Sequence, residues 1–488
     1  MTLIRIGVWL EHPVVTWTAL LVAVLTAAMS IVGAMAADLA PHTDPLWTWP
    51  TPLVLGAAAA FLSGPRWRWA LAAGALGAIA TVSLWLLLAG ILAAGVVCLW
   101  EWRPKSPGVL VVGRTRLGVP MRLATEDRLL HCHVMGPTGS GKSTTVLLPW
   151  MEQDLAAGLG FTLIEPKGDL CDAVYRRAIP RHGTLVRLDP TRAASPHVNI
   201  LAGDGAAAGE GLALALEQVE PSGHPFYRTV GRVVLVQLTR AVAAAQGDAA
   251  SVDHLLRALR DPAWRSGIVR DANLPEVSSY LAEDFGRLPP ARQQELTLGL
   301  ANRLQSLVLH PGLRALWSPP YDLTIPSLLA DGPSWILASF PLAQLGQGAR
   351  VAGTLLWHLV VQAVYARGAT GHLWHSLYLD EFHQYVSPDL NDVLAMIRGY
   401  GLSVVLAHQD MGQLSRELEA AVIANARSHV ILGGGPAPDR RRFEDEAAPY
   451  ELPMLRYLPR GKAVYLGMRR GTARTPSMVR LPTPPRAL

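Results

Sequence analysis

The chain has 488 residues, 50% of them hydrophobic and 17% charged, with a net charge of +5. This length allows about two or three domains, and so apolar a balance excludes an ordinary soluble protein and calls for a membrane segment. The three cysteines, Cys98, Cys132 and Cys171, stand at unrelated spacings. That excludes a disulfide framework or a metal knuckle and places the catalytic part in a reducing compartment. The mild positive charge suits anionic partners, either nucleic acid or lipid headgroups.

Three uncharged apolar runs come first: Val14–Ala37, Pro50–Ser63 and Trp69–Trp100. A bilayer core takes about 20 apolar residues per helix, so the first run spans, the second is marginal, and the third fits one tilted helix or a tight pair. Trp17, Trp47, Trp49, Trp67, Trp69, Trp100 and Trp102 flank the runs as interfacial aromatics do. A cleaved signal peptide needs only one such run and a small-residue cleavage site, which is missing here. Transmembrane helices with short loops are therefore expected over residues 1–102. Positive charge prefers the cytoplasm. An even number of spans puts Arg66, Arg68 and the segment after Arg103 there, whereas an odd number puts Arg66 and Arg68 outside.

Leu129–Met135 reads as a buried strand. Gly136-Pro137-Thr138-Gly139-Ser140-Gly141-Lys142-Ser143 follows and fits the phosphate-loop pattern G-x-x-x-x-G-K-[ST] in full, with Thr144 closing it. Glycines permit backbone conformations that let successive N–H groups face one phosphate chain. Lys142 is expected on the β- and γ-phosphates and Ser143 on Mg²⁺. Thr144–Leu155 is expected to be a helix kinked at Pro149. His131 and His133 share one face of a strand while Cys132 faces away, so the three read as packing and solvent contact at the strand mouth, not as a metal site.

Phe161–Leu170 reads as a strand entering a loop, and Thr184–Asp189 as another strand. From Gly203 to Ser318 the pattern turns helical, with Ser251 opening one helix and Gln293–Leu309 forming another. This is expected to be an all-α insertion (residues 202–325) within an α/β domain (103–201 and 326–470). Ser334–Phe340 resumes the strands, and Ala349–Arg367 is a helix. Leu377-Tyr378-Leu379-Asp380-Glu381 is a short apolar strand ending in two acids, the Walker B pattern: Asp380 for Mg²⁺, Glu381 to orient the attacking water. His372, His375 and His383 around it make no metal site. Gly401–Gln409 is a third such strand, and its end places Gln409 to sense the γ-phosphate. Arg398, on an expected helix Asp389–Gly399, reads either as an arginine finger for a neighbouring subunit or as a surface cation. Val430–Gly433 and Ala463–Leu466 are late strands. Arg440, Arg441 and Arg442 form a basic cluster that suits phosphates or plain solvation. Residues 471–488 read as a loose Pro/Arg-rich tail.

Taken together, Gly136–Thr144, Glu165-Pro166-Lys167-Gly168-Asp169-Leu170, Asp189-Pro190 with Asn199, Asp380-Glu381-Phe382, Arg398 and Gln409 resemble the type IV secretion coupling proteins. These are the TraG/TraD-like conjugation ATPases with a TraM-recognition type C-terminal region. The resemblance spans roughly Arg103–Gly467. It implies an α/β, RecA-like P-loop NTPase domain with an inserted all-α domain, preceded by transmembrane helices. It also implies ATP and Mg²⁺ as cofactors and a hexamer at the inner membrane with its ATPase domain in the cytoplasm. The partners would be single- or double-stranded DNA, a relaxase–DNA complex or a protein substrate, and the secretion channel. Glu165 stands where the family commonly has Asp. In the family a trans-acting arginine lies between Walker B and the Gln-bearing strand, as Arg398 does here. Two other readings compete: a DNA translocase of the FtsK/HerA kind, and a receptor switched by ATP without useful turnover. Neither a long linker nor a winged-helix-like module supports the translocase, and Glu381 argues against a binding-only site.

Overall fold

The fold is seen in a computed structural model, which describes residues 108–177, 183–203, 205–219, 225–330, 332–368, 374–386, 390–450 and 452–483. The apolar runs between Val14 and Trp100, and His372, lie outside the described residues. Among the described residues, no helix is long and apolar enough to cross a membrane.

In chain order the strands are β1 (Leu110–Arg114), β2 (Pro120–Leu123), β3 (Cys132–Met135), β4 (Gly160–Glu165), β5 (Thr184–Leu188), β6 (Ser334–Ser339) and β7 (His375–Asp380). There follow β8 (Leu402–His408), β9 (Ser428–Leu432), β10 (Lys462–Leu466), β11 (Met468–Arg469), β12 (Thr472–Ala473) and β13 (Ser477–Arg480). They form an 11-stranded sheet in the order β2-β1-β13-β10-β9-β3-β8-β7-β4-β6-β5, with β11 and β12 pairing separately. The section from β9 to β5 is parallel. Beyond β9, β10, β13, β1 and β2 continue antiparallel.

The parallel strands read as continuous apolar runs because both faces are covered. β4, β6, β7 and β8 are buried along their whole lengths. Side chains alternate between two cores, as a period of two requires. Leu377, Leu379, Val404 and Leu406 join one core, while Tyr378, Val405 and Ala407 join the other.

Helices cover the faces. The principal ones are α1 (Leu148–Ala157), α2 (Asp169–Arg177), α3 (Ala206–Val219), α4 (Pro225–Gln246), α5 (Val252–Arg260), α6 (Pro262–Ala272), α7 (Pro290–Leu304), α8 (Gln347–Ala366) and α9 (Leu390–Ile397). The helical stretch lies between β5 and β6. Ser251 accepts the His254 N–H and starts α5, and Asp261 accepts the Trp264 N–H and starts α6, the capping that these residue types favour. This stretch shares one core with the sheet: Leu212, Leu235 and Leu300 pack in the same cluster as Ile164, Ile336 and Leu377.

Three local expectations are corrected. The segment after the phosphate loop is a π-helical turn, Lys142–Leu147, running into α1. Pro149 falls just past the junction of the π-helical turn with α1, so the bond its missing N–H cannot make is lost where the hydrogen-bond pattern changes, and the helix continues through it. Arg398 lies beyond α9 in a 3₁₀ turn, Arg398–Tyr400. Residues 471–483 are not a loose tail throughout: Ser477–Arg480 is a sheet strand between β10 and β1, and Val479 within it is fully buried.

Candidate functional site

The sheet order explains the site. β8 is inserted between β3, which leads into the phosphate loop, and β7, which ends in the two acids. Met135 pairs with His408, and Asp380 with Ala407. All three strands therefore end at one level, the C-terminal edge where ligands of open parallel sheets bind. The Gly136 N–H donates to the His408 carbonyl at 3.3 Å, so the loop springs from the end of β8 as well.

Gly139 and Gly141 take φ values of 78° and 98°, the left-handed region that glycine enters freely. Lys142 is buried, and its ammonium donates to the Gly136 carbonyl at 2.7 Å. It also lies 3.8 Å from a carboxylate oxygen of Glu381. Ser143 Oγ donates to Asp380 Oδ2 at 3.0 Å. Gln409 Nε2 donates to Glu381 Oε1 at 3.0 Å, while its Oε1 accepts from Thr138 Oγ1 at 2.6 Å. Gln409 thus bridges the phosphate loop and the Walker B acid. Glu381 itself has φ 51°, a left-handed conformation uncommon outside glycine and characteristic of constrained functional positions.

Burial raises the Asp380 carboxyl above its ordinary range, and the neighbouring Glu381 adds to this; Lys142 and the Ser143 hydrogen bond oppose it. Burial lowers the Lys142 ammonium from its ordinary value, against the pull of Glu381 and Asp380. Titratable groups perturbed together in a cleft mark a functional site. Asp380 Oδ1 and Glu381 Oε2 are buried without a hydrogen-bond partner. Orphaned carboxylate oxygens beside Ser143 are what a hard, oxygen-seeking cation requires. The residues therefore fit Mg²⁺ and a phosphate chain.

Several neighbours carry no motif of their own. His383 Nδ1 lies 3.9 Å from Glu381 Oε2. Glu165 ends β4 and accepts the backbone N–H of Cys171. His133 is fully buried, and both of its ring nitrogens face other histidines; it does not contact solvent at the strand mouth. His131 precedes β3 with φ 59° and bonds the Leu394 carbonyl at 2.8 Å, so it does not share a strand face with His133. Of these, Glu165 was legible as a strand end and as part of the Glu165–Leu170 segment, whereas the histidines were seen but not the contacts they make. Among the described residues no cluster of His, Cys, Asp and Glu is placed to hold a metal by itself. Arg398 is exposed and precedes β8, at the end opposite Gln409. Arg440 donates to the Gly435 carbonyl and Arg442 pairs with Glu419 at 3.6 Å, which leaves Arg441 the most open of that cluster.

A phosphate loop, a Walker B strand and an intervening strand that ends in a polar side chain between them define a P-loop NTPase fold. Residues 375–443 match the family described as the TraM recognition site of TraD and TraG. The bacterial conjugative coupling protein TrwBdeltaN70, in its unbound monoclinic form, matches at 19% identity and a TM-score of 0.60, covering 80% of this chain and 91% of that one. The plasmid coupling protein TrwB in complex with ADP and Mg²⁺ matches at 19% identity and a TM-score of 0.60, covering 78% and 90%. VirB4 of Thermoanaerobacter pseudethanolicus matches at 14% identity and a TM-score of 0.50, covering 78% and 98%. No curated protein matches the chain. The family match is confined to residues 375–443, and the structural matches show that the chain shares the fold of the conjugative coupling protein.

Proposed function

We propose that this protein is a membrane-anchored ATPase that couples ATP hydrolysis to the transfer of DNA, a relaxase–DNA complex or a protein substrate into a type IV secretion channel. The observation that carries the reading is the Thr138–Gln409–Glu381 bridge, closed by the contacts of Lys142 and Ser143 with the two acids. A site that only binds nucleotide has no use for a second acid held by a sensor that also touches the phosphate loop.

In this reading the N–H groups of Gly136–Thr144 cradle the phosphates, with Lys142 on the terminal ones. Ser143 and Asp380 hold Mg²⁺, which when bound offsets charge on the phosphate oxygens. Glu381 accepts hydrogen bonds from the attacking water and aligns it. Gln409 reports the terminal phosphate to the end of β8. Arg398 reaches the nucleotide of the next copy in a ring, since contacts that join unlike faces close into rings. The hexamer, the transmembrane helices over residues 1–102, and substrate recognition by the helical layer of residues 202–325 follow from the family resemblance. TrwB has been crystallised with the ATP analogue ADPNP and with ADP and Mg²⁺, which supports the same cofactors here.

The test is the ATPase rate of the full chain in lipid, with and without single-stranded DNA. Turnover that rises with DNA is expected. Lys142→Ala should abolish it, and Glu381→Gln should lower it by about 10²–10⁴-fold with nucleotide binding retained. Tight ATP binding and ring assembly with no turnover in the wild type would leave an ATP-switched receptor.

A further inference from the structure

Beneath the phosphate loop three histidines from three adjacent strands meet. His133 of β3 and His408 of β8 are fully buried, and His429 of β9 is half-buried. His408 Nδ1 lies 2.8 Å from the Asp410 carbonyl oxygen, His133 Nε2 lies 2.7 Å from His408 Nε2, and His429 Nδ1 lies 3.1 Å from His133 Nδ1. Phe382 and Phe443 close the surroundings, with ring centroids 5.2 Å from His408 and 6.1 Å from His133.

The tautomers follow from the partners. A carbonyl oxygen can only accept, so His408 donates from Nδ1. A neutral imidazole has one N–H and one bare nitrogen, which leaves His408 Nε2 an acceptor. His133 must then donate from Nε2 and accept at Nδ1, and His429 must donate from Nδ1. The chain runs one way, from His429 through His133 and His408 to the Asp410 carbonyl, with no bond unmade. Burial lowers all three from their ordinary range, His408 to about 3 and His429 to about 4, in keeping with neutral rings.

The chain ends on the loop that carries Gln409. Gln409 and Asp410 N–H groups both donate to Gln413 Oε1, at 3.1 and 3.4 Å, so this loop is fixed from the far side as well. His133, by contrast, lies two residues before the end of β3 at Met135, where Gly136 opens the phosphate loop. We propose that His133, His408 and His429 form a directional imidazole relay that positions Gln409 against Glu381 and Thr138. The three are positioning residues that lock the root of the phosphate loop to the sensor, and their role rests on the ATPase reading above.

The test uses the full chain and a double-mutant cycle. His408→Phe keeps the ring volume and removes both hydrogen bonds; kcat should fall roughly five- to tenfold, with KM for ATP within about twofold. His408→Asn restores a donor close to the Nδ1 position and should recover part of the loss. In a Gln409→Ala background, His408→Phe should cost nothing further, because its effect passes through Gln409. Independent losses that multiply in the double variant, or a His408→Phe chain with unchanged kcat, would overturn the proposal. A wild-type chain with no turnover would sink the ATPase reading instead. The relay is then decided by nitrogen NMR of the wild-type histidines: Nε2-protonated His133 beside Nδ1-protonated His408 and His429 is expected, and the opposite tautomer at His133 would overturn it.

Discussion

Glu165 is a single carboxyl whose behaviour can be derived from its surroundings. It ends β4, is buried, and accepts the Cys171 N–H. Burial pushes its pKa up from 4.5 to about 7, and the nearby Asp380 adds to this, while the backbone hydrogen bonds of Cys171 and Leu170 oppose it. The folded state therefore holds its proton through a range where the unfolded chain has lost it. Stability must fall as pH rises from about 4.5 to about 7, by roughly 3 kcal/mol for this group. Glu165→Gln keeps the acceptor oxygen and cannot ionise. Melting temperatures across that range should decline less steeply in the variant than in the wild type, after the shared contribution of other groups is subtracted. Equal slopes would mean that Glu165 is ionised in the folded protein. The acid was visible in the sequence as a strand end, and its family position was noted there. Its protonation was not, because that depends first on burial by the folded chain and then on Asp380, from a distant part of it.

At the level of elements, the end of the sheet away from the phosphates is tied by one buried ion pair. Arg128 donates to both oxygens of Asp154 on α1 at 2.8 and 2.7 Å, and to Ser376 of β7 at 2.8 Å. Tyr378 of β7 donates to Asp154 at 2.6 Å. Breaking a buried pair strands a charge and costs about 3–5 kcal/mol, whereas losing one neutral donor costs about 1 kcal/mol. Asp154→Ala should therefore lower the melting temperature several times more than Tyr378→Phe. Comparable losses would mean that Arg128 finds water or another acceptor. Nothing in the sequence pointed to this network. Motifs and apolar periodicity are local signals, and Arg128 and Ser376 are 248 positions apart. The same limit explains the strand Ser477–Arg480, where one fully buried valine amid proline and arginine gives too short a pattern to read. By contrast, the strands bearing the phosphate loop, the two acids and Gln409 each carry their chemistry at the end of an apolar run. That is why their positions were legible, although the bond joining Gln409 to Thr138 was not.

For the whole molecule the question is whether one chain completes its own site. β8 has 7 residues, and a strand rises about 3.3 Å per residue, so its ends are roughly 20 Å apart. Arg398 stands at the start of β8 and the phosphate loop at its end. That span exceeds the reach of an arginine side chain, so Arg398 has no path to its own nucleotide. A catalytic Arg398 must then serve a neighbour. Arg398→Ala and Lys142→Ala chains should each be inactive alone and retain ring assembly. Mixed before assembly, they should regain activity, because some interfaces pair an intact phosphate loop with an intact arginine from the adjacent copy. In a random equal mixture roughly a quarter of the interfaces of a closed ring are of that kind, which sets the ceiling on recovery. The comparison is the same mixture made from rings that have already assembled and do not exchange, which should stay inactive. Recovery on mixing would place the arginine in trans and make the ring the catalytic unit. Its absence, with mixed rings shown to form, would take Arg398 out of the trans role, and an Arg398→Ala chain that keeps its activity alone would return it to an exposed surface cation and leave each chain's site to act on its own.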